Sequence, residues 1–188
     1  MKVPDFEAMY QADKDPWRVE TSWYERRKLS VLLASLPRER YRRAWEPGCG
    51  PGLTTSALAE RTDEVLATDV SETAVALAGE RTRDLPGVHV LRSDLPAVPF
   101  EGTVDLVVVA EFLYYVPDLG GALDVLWSVC EPGGHLAVMH WAHHPDDAFR
   151  GGPGMHAQIR LDCVRRQARS VLSHVDEHFL LDVYESPQ

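Results

Sequence analysis

Three glycines at alternating positions, Gly48, Gly50 and Gly52, are the residues of this sequence with the clearest chemical meaning. Because glycine has no Cβ, a ligand can lie directly against the backbone of a turn that contains them. The helix expected after the turn directs unpaired N–H groups and the positive end of its dipole towards that ligand. This pattern predicts a turn that binds a nucleotide-like cofactor, rather than a turn that binds nothing.

The spacing and charge of the turn distinguish between two cofactors. A dinucleotide fingerprint, G-x-G-x-x-G, requires its third glycine at position 53, where this chain has Leu53. Glu46 lies just before the turn, and its carboxylate would repel a pyrophosphate but attract an ammonium group. S-adenosylmethionine (SAM) carries an ammonium group and a sulfonium and has no phosphate. The residues therefore favour SAM over NAD, and S-adenosylhomocysteine (SAH) is the expected product.

Acidic residues end three of the later apolar segments. Asp69 comes about 20 residues after the turn, where its carboxylate can accept hydrogen bonds from ribose hydroxyls. Asp94 ends the next apolar segment. Glu111 follows the run Leu106 to Ala110, and a charged group there is costly to bury without a partner. We expect all three at the cofactor site; helix or loop caps for the aspartates and a solvent-exposed carboxylate for Glu111 are the alternatives.

Composition narrows the class of protein. A chain of 188 residues with 45% apolar and 26% charged residues is typical of a single soluble enzyme domain. Its net charge of −10 argues against a nucleic-acid partner, and no apolar run is long enough to cross a membrane. The three scattered cysteines indicate reduced thiols in a cytoplasmic protein. His140, His143 and His144 lie close in sequence but lack a partner at ligand spacing, so we expect no metal site.

The elements that would position these residues alternate along the chain. Strands are predicted at about 43–47, 65–70, 88–92, 104–110, 135–141, 171–175 and 179–184, and helices at about 53–61, 72–83, 119–130 and 155–169. This alternation predicts an α/β fold with a doubly wound, mostly parallel seven-stranded sheet that binds ligands at the carboxyl ends of its strands. The short polar connection at 176–178 predicts a C-terminal antiparallel hairpin.

The N-terminal region is predicted to be a cap or lid (residues 1–40) on a SAM-binding domain (residues 41–188), within one structural domain. Ser22 can cap a helix that has Glu25 at the capping-box position and ends before Pro37. Aromatic and arginine residues outside the core suggest that this region covers the cofactor. Packing against the sheet edge is the alternative.

Several motifs resemble those of class I SAM-dependent methyltransferases, and in particular the branch similar to nodulation protein S (NodS). They are, in chain order, F-x-x-M-Y at 6–10, D-P-W at 15–17, S-W-Y-E-R-R-K at 22–28, E-P-G-C-G at 46–50, D-V-S at 69–71, G-G-H-L-x-x-x-H-W at 133–141 and the loop at 151–156. The likeness covers nearly the whole chain. It implies a Rossmann-like methyltransferase fold with an N-terminal helical lid.

The resemblance also implies roles for individual residues. In class I methyltransferases an acid at the position of Asp94 holds the adenine amine, with the backbone of Leu95 on the ring. Trp17, Tyr24 and Arg27 would close over the carboxylate and adenosine of the cofactor. The full set expected to bind SAM is Glu46, Gly48, Gly50, Gly52, Asp69, Val70, Asp94, Leu95, Glu111, Trp17, Tyr24 and Arg27.

The nodulation enzymes N-methylate the free amine of a deacetylated chitooligosaccharide, so the resemblance implies a small amine-bearing acceptor such as an amino sugar. The loop before His156 lacks the acidic residue expected from those enzymes, which weakens any inference of sugar specificity. An amine must be neutral to attack, so a nearby base helps. Glu111, His140 and His156 are the candidate bases, and Tyr114 and Tyr115 are candidate walls beside the methyl group, with core packing as their alternative.

Three other functions remain open on the sequence alone. The acceptor could be an oxygen nucleophile, or the protein could bind SAM without catalysing transfer. A nicotinamide-dependent oxidoreductase is disfavoured by Glu46 and Leu53 and by the absence of a Tyr-x-x-x-Lys pair.

Overall fold

The structure is a computed structural model, and it describes residues 3–188. Residues 1 and 2, which begin the predicted lid, lie outside the described residues. The chain forms two compact units, one of Asp5–Phe100 and one of Glu101–Gln188 together with residues 3 and 4. Helices and strands alternate in both units, as the sequence predicts for an α/β fold.

In the first unit, three parallel strands lie in the order β3-β2-β1. The strands are β1 (Tyr41–Pro47), β2 (Thr62–Asp69) and β3 (Val88–Arg92), and the helices are α1 (Phe6–Ala12), α2 (Trp23–Ser35), α3 (Leu53–Ala59) and α4 (Glu72–Thr82). The register pairs Pro47 with Thr68 and Asp69 with Arg92. The carboxyl ends of the three strands therefore meet at one edge, where the glycine turn follows β1.

In the second unit, four strands lie in the order β4-β5-β7-β6. The strands are β4 (Val104–Ala110), β5 (Cys130–Trp141), β6 (Arg169–Val175) and β7 (Phe179–Glu185), with helices α5 (Leu119–Val129) and α6 (Gly152–Arg166) and a 3-10 turn at Leu113–Tyr115. β4 and β5 are parallel, and Ala110 pairs with Met139. These two strands thus end together, and they place Glu111 and His140 at the same edge.

The predicted α/β fold, with its seven-stranded, mostly parallel sheet and C-terminal antiparallel hairpin, is confirmed. β7 runs antiparallel to both β5 and β6, so one strand of the last pair is reversed, as expected. β4 is buried from Val104 to Val109, which explains why its sequence is apolar at every position but one rather than alternating. The one acid within it, Asp105, is also buried.

Several predicted boundaries were wrong, each for a local reason. The helix predicted at 155–169 is α6, which begins three residues earlier at Gly152 and ends at Arg166. Proline is well tolerated in the first turn of a helix, so Pro153 lies inside α6, and Gln167 ends it in the left-handed conformation (φ 63°). β5 begins at Cys130, five residues before the predicted start.

The N-terminal helices follow their capping residues. The Ser22 hydroxyl accepts a hydrogen bond from the Glu25 N–H (3.5 Å), as predicted, and α2 ends at Ser35, just before the Leu36-Pro37 step. α1 was not predicted. It has only seven residues, too few for a clear apolar period, and it is capped by Asp5, whose carboxylate accepts from Ala8 N–H.

Candidate active site

The glycine turn has the left-handed backbone that its sequence suggests. Gly48, Gly50 and Gly52 have φ values of 70°, 53° and 82°, a region that residues with a Cβ rarely adopt. A Cβ at Gly52 would lie 2.9 Å from the Cα of Ala78, and a Cβ at Gly50 would lie 2.8 Å from the hydroxyl oxygen of Tyr10. The sequence predicted that bare backbone would serve a ligand. Two of the three glycines also permit close packing against α4 and α1.

Between the glycines, Cys49 anchors the turn in the core. Its side chain is 6% exposed and packs in a small cluster with Ala67 of β2 and Ala78 of α4. Its N–H donates to the carbonyl of Thr68 (3.0 Å). Burial raises the pKa of the thiol well above its ordinary value, so Cys49 is a neutral packing residue. The turn is therefore held rigidly at the ends of β1 and β2.

Glu46 lies at the end of β1 and is 2% exposed. The Thr55 hydroxyl of α3 donates to its Oε2 (2.5 Å). Burial raises the pKa of Glu46 to about 8, and the charge of Asp69 adds to this, although the hydrogen bonds from Thr55 and Thr54 oppose it. The side chain predicted as a carboxylate is therefore mostly a neutral acid at pH 7 until a cation approaches it.

Asp69 ties together the chain segments at the edge of β1–β3. Its Oδ2 accepts from Gly50 N–H (2.9 Å), its Oδ1 accepts from Ser71 N–H (2.9 Å), and its carbonyl accepts from Ser93 N–H (3.0 Å). Burial raises the pKa of Asp69, while the backbone hydrogen bonds lower it. Ser71, and not Asp69, caps α4 through a bond from Ala74 N–H. The alternative of Asp69 as the helix cap is thereby removed.

Three further residues predicted to bind the cofactor, Val70, Asp94 and Leu95, are close in sequence to Asp69 and Ser93. Asp94 follows Ser93 and is exposed, and its carbonyl accepts from Ala97 N–H (2.9 Å). Leu95 is half-buried. Val70 follows Asp69 and is 38% exposed, which is unusual for an apolar residue at a strand end. The bond from Ser93 N–H to the Asp69 carbonyl thus holds the start of the Asp94–Leu95 segment at the end of β2, and binding of the adenine there remains a prediction.

The N-terminal segment is fastened to this edge by two residues that were not among the predicted site residues. Glu7 of α1 accepts hydrogen bonds from the hydroxyls of Ser71 and Thr73 (2.7 Å each) and from Thr73 N–H (3.1 Å). These bonds lower the pKa of Glu7 to about 2. Tyr10 is 5% exposed beside Gly50, and burial together with the Asp69 charge raises the pKa of its phenol. The only sequence signal for Glu7 and Tyr10 was the F-x-x-M-Y motif, which specifies Tyr10 and has Glu7 at a variable position.

The three residues expected to close over the cofactor occupy different parts of the same segment. Trp17 is 41% exposed, and its ring meets the Tyr10 ring edge-on with centroids 5.6 Å apart. Tyr24 and Arg27 are half-buried on α2. The Lys28 ammonium lies 4.9 Å from the Tyr24 ring centre, and the Arg27 guanidinium lies 6.0 Å from the Trp23 ring centre. Closure by these three residues remains a prediction.

A second group of site candidates lies at the ends of β4 and β5. Glu111 has a φ of 62°, a strained value for a residue with a side chain. Its Oε2 accepts hydrogen bonds from the Tyr114 hydroxyl and from Trp141 N–H (3.1 Å). Its own N–H donates to the Met139 carbonyl (2.9 Å). Glu111 is therefore fixed by protein groups rather than extended into solvent.

Tyr114 and Tyr115 continue from Glu111 in the 3-10 turn. Tyr114 is 4% exposed, and its ring meets Tyr115 edge-on at 4.9 Å between centroids. Burial and the nearby Asp147 raise the pKa of the Tyr115 phenol. Tyr114 also meets the ring of His140 edge-on, at 5.3 Å. The Glu111–Tyr114 pair and His140 are thus in contact.

His140 and His156 are brought together by the fold, and with them an aspartate that was not predicted. His140 Nδ1 lies 3.1 Å from His156 Nε2, and His156 Nδ1 lies 2.8 Å from Asp182 Oδ2. Burial would raise the pKa of Asp182, but hydrogen bonds from His156 and Ser173 and the positive charge of Arg160 outweigh it, so the pKa is lowered. Nothing local in the sequence marks Asp182, because it reaches the histidines only through the pairing of β5 with β7.

The other histidines have separate surroundings. The His143 ring lies between Trp141 (4.9 Å) and His178 (6.3 Å), and His144 Nε2 is 3.0 Å from the Ala148 carbonyl oxygen. Within residues 3–188, His, Cys, Asp and Glu side chains form no group of three or more that could hold a metal ion. None of the helices in the same range is both long and apolar enough to cross a bilayer.

Known proteins match this chain in sequence and in fold. Residues 45–138, half of the chain, match a family described as methyltransferase domain. Nodulation protein S of Sinorhizobium fredii is 31% identical over 129 residues, which are 66% of this chain and 60% of that protein. Trans-aconitate 2-methyltransferase of Variovorax paradoxus is 36% identical over 115 residues, 60% of this chain and 43% of that enzyme.

One solved structure matches along almost the whole chain. It is the N-methyltransferase NodS of Bradyrhizobium japonicum in complex with SAH, with a TM-score of 0.81, 22% identity and coverage of 98% of this chain and 100% of NodS. At this identity the likeness shows the Rossmann-like fold. This chain spans about two fifths to three fifths of the length of the curated relatives described above. The match across the glycine turn and the following strands shows that the chain belongs to the methyltransferase domain family.

Proposed function

We propose that this protein is a SAM-dependent methyltransferase that transfers a methyl group from SAM to a small-molecule acceptor and releases SAH. The observation that carries the proposal is the pair of buried acids at the glycine turn, Glu46 and Asp69. Glu46 is suited to an ammonium group and Asp69 to ribose hydroxyls, whereas a pyrophosphate beside Glu46 would meet an acid and no cation. Membership of the methyltransferase domain family supports the same conclusion.

Each acid would hold a different part of the cofactor. Glu46 would meet the ammonium group of the methionine moiety, with the turn backbone beside it. The Asp69 carboxylate accepts backbone N–H bonds from Gly50 and Ser71, and a carboxylate has about four acceptor positions, so it retains capacity for the ribose hydroxyls. Val70, Leu95 and Asp94 would surround the adenine.

Residues 1–40 would serve as a lid over the SAM-binding part of the chain, residues 41–188. The supporting contacts are those of α1, since Glu7 binds the start of α4 and Tyr10 lies against Gly50. Trp17 lies against Tyr10, and Tyr24 and Arg27 follow on α2. A lid at this place would exclude water from the sulfonium and add binding energy on the adenosine side.

The acceptor is proposed to be an amine, for example an amino sugar. Glu111, the acid that follows β4, is suited to accept a hydrogen bond from a neutral amine, and Tyr114 and Tyr115 supply adjacent ring surfaces. One relative, trans-aconitate 2-methyltransferase, is named for an acceptor that is not an amine. Methylation of an acceptor on oxygen, and not on nitrogen, would therefore contradict the proposal of an amine.

Methyl transfer needs little chemical activation, because the sulfonium already makes the methyl carbon electrophilic. The protein chiefly has to align nucleophile, methyl carbon and sulfur, and such positioning can supply about 7–11 kcal/mol. The acceptor must also lose a proton, before or after transfer. Glu111, His140 and His156 are the side chains proposed to receive it.

Calorimetric titration with SAM, SAH and NAD tests the cofactor, and Asp69→Asn is the matched variant. We expect SAM and SAH to bind, NAD to give no heat, and the variant to bind SAM more weakly. Conversion of SAM to SAH is then measured with a panel of amines, amino sugars and carboxylic acids. NAD binding without SAM binding would refute the cofactor; SAM binding with no turnover on any acceptor would indicate a binding module.

A further inference from the structure

Three buried titratable side chains form a row in the second unit. They are His140 at the end of β5, His156 in α6 and Asp182 in β7, with exposed fractions of 0%, 2% and 3%. The row is joined by the Nδ1–Nε2 contact of the two histidines (3.1 Å) and the His156 Nδ1–Asp182 Oδ2 contact (2.8 Å). Which ring nitrogens carry protons determines which of them can act as a base.

The row is a direct result of strand register. β5 and β7 pair antiparallel, with Val138 opposite Asp182 and His140 opposite Leu180. Residues two apart on a strand share a face, so His140 and Asp182 lie diagonally on the same side of the sheet. α6 packs on β7 and inserts His156 between them. The same three elements hold Arg160, 3.6 Å from Asp182, and Ser173 of β6 donates to Asp182.

For two neutral histidines, the hydrogen-bonding capacity of each group fixes the protons. An ionised carboxylate only accepts, so His156 must donate from Nδ1 to Asp182. In a neutral imidazole the other nitrogen is then an acceptor, so His156 Nε2 accepts a bond that His140 donates from Nδ1. His140 is thereby left with its lone pair on Nε2. The hydrogen bonds of Asp182 lower its pKa, which agrees with an ionised carboxylate at the end of the row.

We propose that His156 and Asp182 are positioning residues that hold His140 in its Nδ1–H tautomer, so that Nε2 of His140 is the base of the methyl transfer. This inference rests on the proposed function and selects one of its three candidate bases. Contact between the His140 and Tyr114 rings places that base beside the Glu111–Tyr114 pair.

The step balances without any further reactant. The lone pair of the acceptor nitrogen forms the new bond to the methyl carbon, and the sulfur–methyl bond breaks with its electrons going to sulfur, which gives SAH. The proton of the acceptor N–H moves to His140 Nε2. The resulting imidazolium still donates from Nδ1 to His156, and the negative charge of Asp182 stabilises it through the row.

The tautomers can be measured on the protein alone, without knowledge of the acceptor. Two-dimensional NMR of 15N-histidine-labelled protein at neutral pH distinguishes protonated from unprotonated ring nitrogens. We expect both His140 and His156 to carry the proton on Nδ1. The matched variants are Asp182→Asn, which should remove this preference, and Arg160→Gln, which leaves the carboxylate and should keep it. An Nε2–H tautomer of His140 in the unmodified protein would overturn the proposal.

Kinetics with SAM and the best acceptor of the panel supply the second readout. His140→Gln and Asp182→Asn should lower kcat by about 100-fold, as expected for loss of a base, with little change in KM for SAM. His156→Gln serves as the alternative if Asp182→Asn does not fold by circular dichroism. Unchanged kcat in folded variants would assign the row a structural role only. Failure of the unmodified protein to bind SAM would instead refute the proposed function.

Discussion

Binding of SAM to this protein is expected to release protons at pH 7, and Glu46 is their source. Burial holds the pKa of this acid at about 8. At pH 7 the side chain is then roughly nine-tenths protonated, since one pH unit below the pKa gives a ratio of about ten. An ammonium group within hydrogen-bond distance lowers a carboxyl pKa by about 1–3 units. Binding therefore converts a mostly neutral acid into a carboxylate.

The net number of protons released on binding also depends on the α-amino group of SAM. The α-amino group of SAM has an ordinary pKa near 7.7–8.0, so roughly a tenth of it must take up a proton at pH 7. With the bound Glu46 at a pKa of about 6, the net release is roughly 0.7 proton per SAM at pH 7. Around pH 8, proton release from Glu46 and proton uptake by the amine nearly cancel. At pH 9 uptake by the amine dominates, so SAM binding takes up protons instead of releasing them.

Calorimetry in buffers of different ionisation enthalpy measures this count directly. The observed binding enthalpy is plotted against the buffer enthalpy, and the slope gives the protons exchanged. Glu46→Gln should abolish the release at pH 7 and leave a small uptake by the amine. Thr55→Val removes the 2.5 Å hydrogen bond that lowers the Glu46 pKa, so it should keep the release and weaken SAM binding. A zero slope for the unmodified protein at pH 7, or the same slope in Glu46→Gln, would refute the reasoning.

Three further predictions concern the turn and the helix above it. Asp69→Ala should weaken SAM binding by ~1–3 kcal/mol in calorimetry, because charge-assisted bonds to the ribose are lost; unchanged affinity would remove Asp69 from the site. Gly52→Ala should lower the free energy of unfolding in urea by ~2 kcal/mol or more, because φ is 82° and the new Cβ would meet Ala78, whereas Gly79→Ala has open space and should be neutral or stabilising. Glu7→Ala should speed hydrogen exchange in α1 and the dissociation of SAM in stopped flow, since α1 loses its bonds to Ser71 and Thr73; unaltered rates of both would show that α1 is not a lid.

Local patterns in the sequence were sufficient for most of the fold. The apolar run of β4 and the capping serine of α4 are visible without tertiary information, and both are where the sequence predicts them. The short helix α1 was missed because seven residues contain fewer than two full helical turns. The start of α6 was misplaced because glycine and proline at its first positions resemble a loop.

The site was less accessible to sequence reasoning, because its chemistry depends on burial and on long-range pairing. The position of Glu46 before the glycines was evident, but its protonation depends on how deeply β1 is covered. Asp182 is separated from His156 by 26 residues, and only the β5–β7 register brings it within 2.8 Å. Tyr10 and Glu7 likewise contact the turn and α4 from far along the chain.

A crystal structure of the protein grown with SAH tests the central claim most directly. We expect SAH to lie along the glycine turn, with its ammonium group beside Glu46 and its ribose hydroxyls within hydrogen-bond distance of Asp69. SAH bound at any other place, or with its ribose turned away from Asp69, would contradict the account.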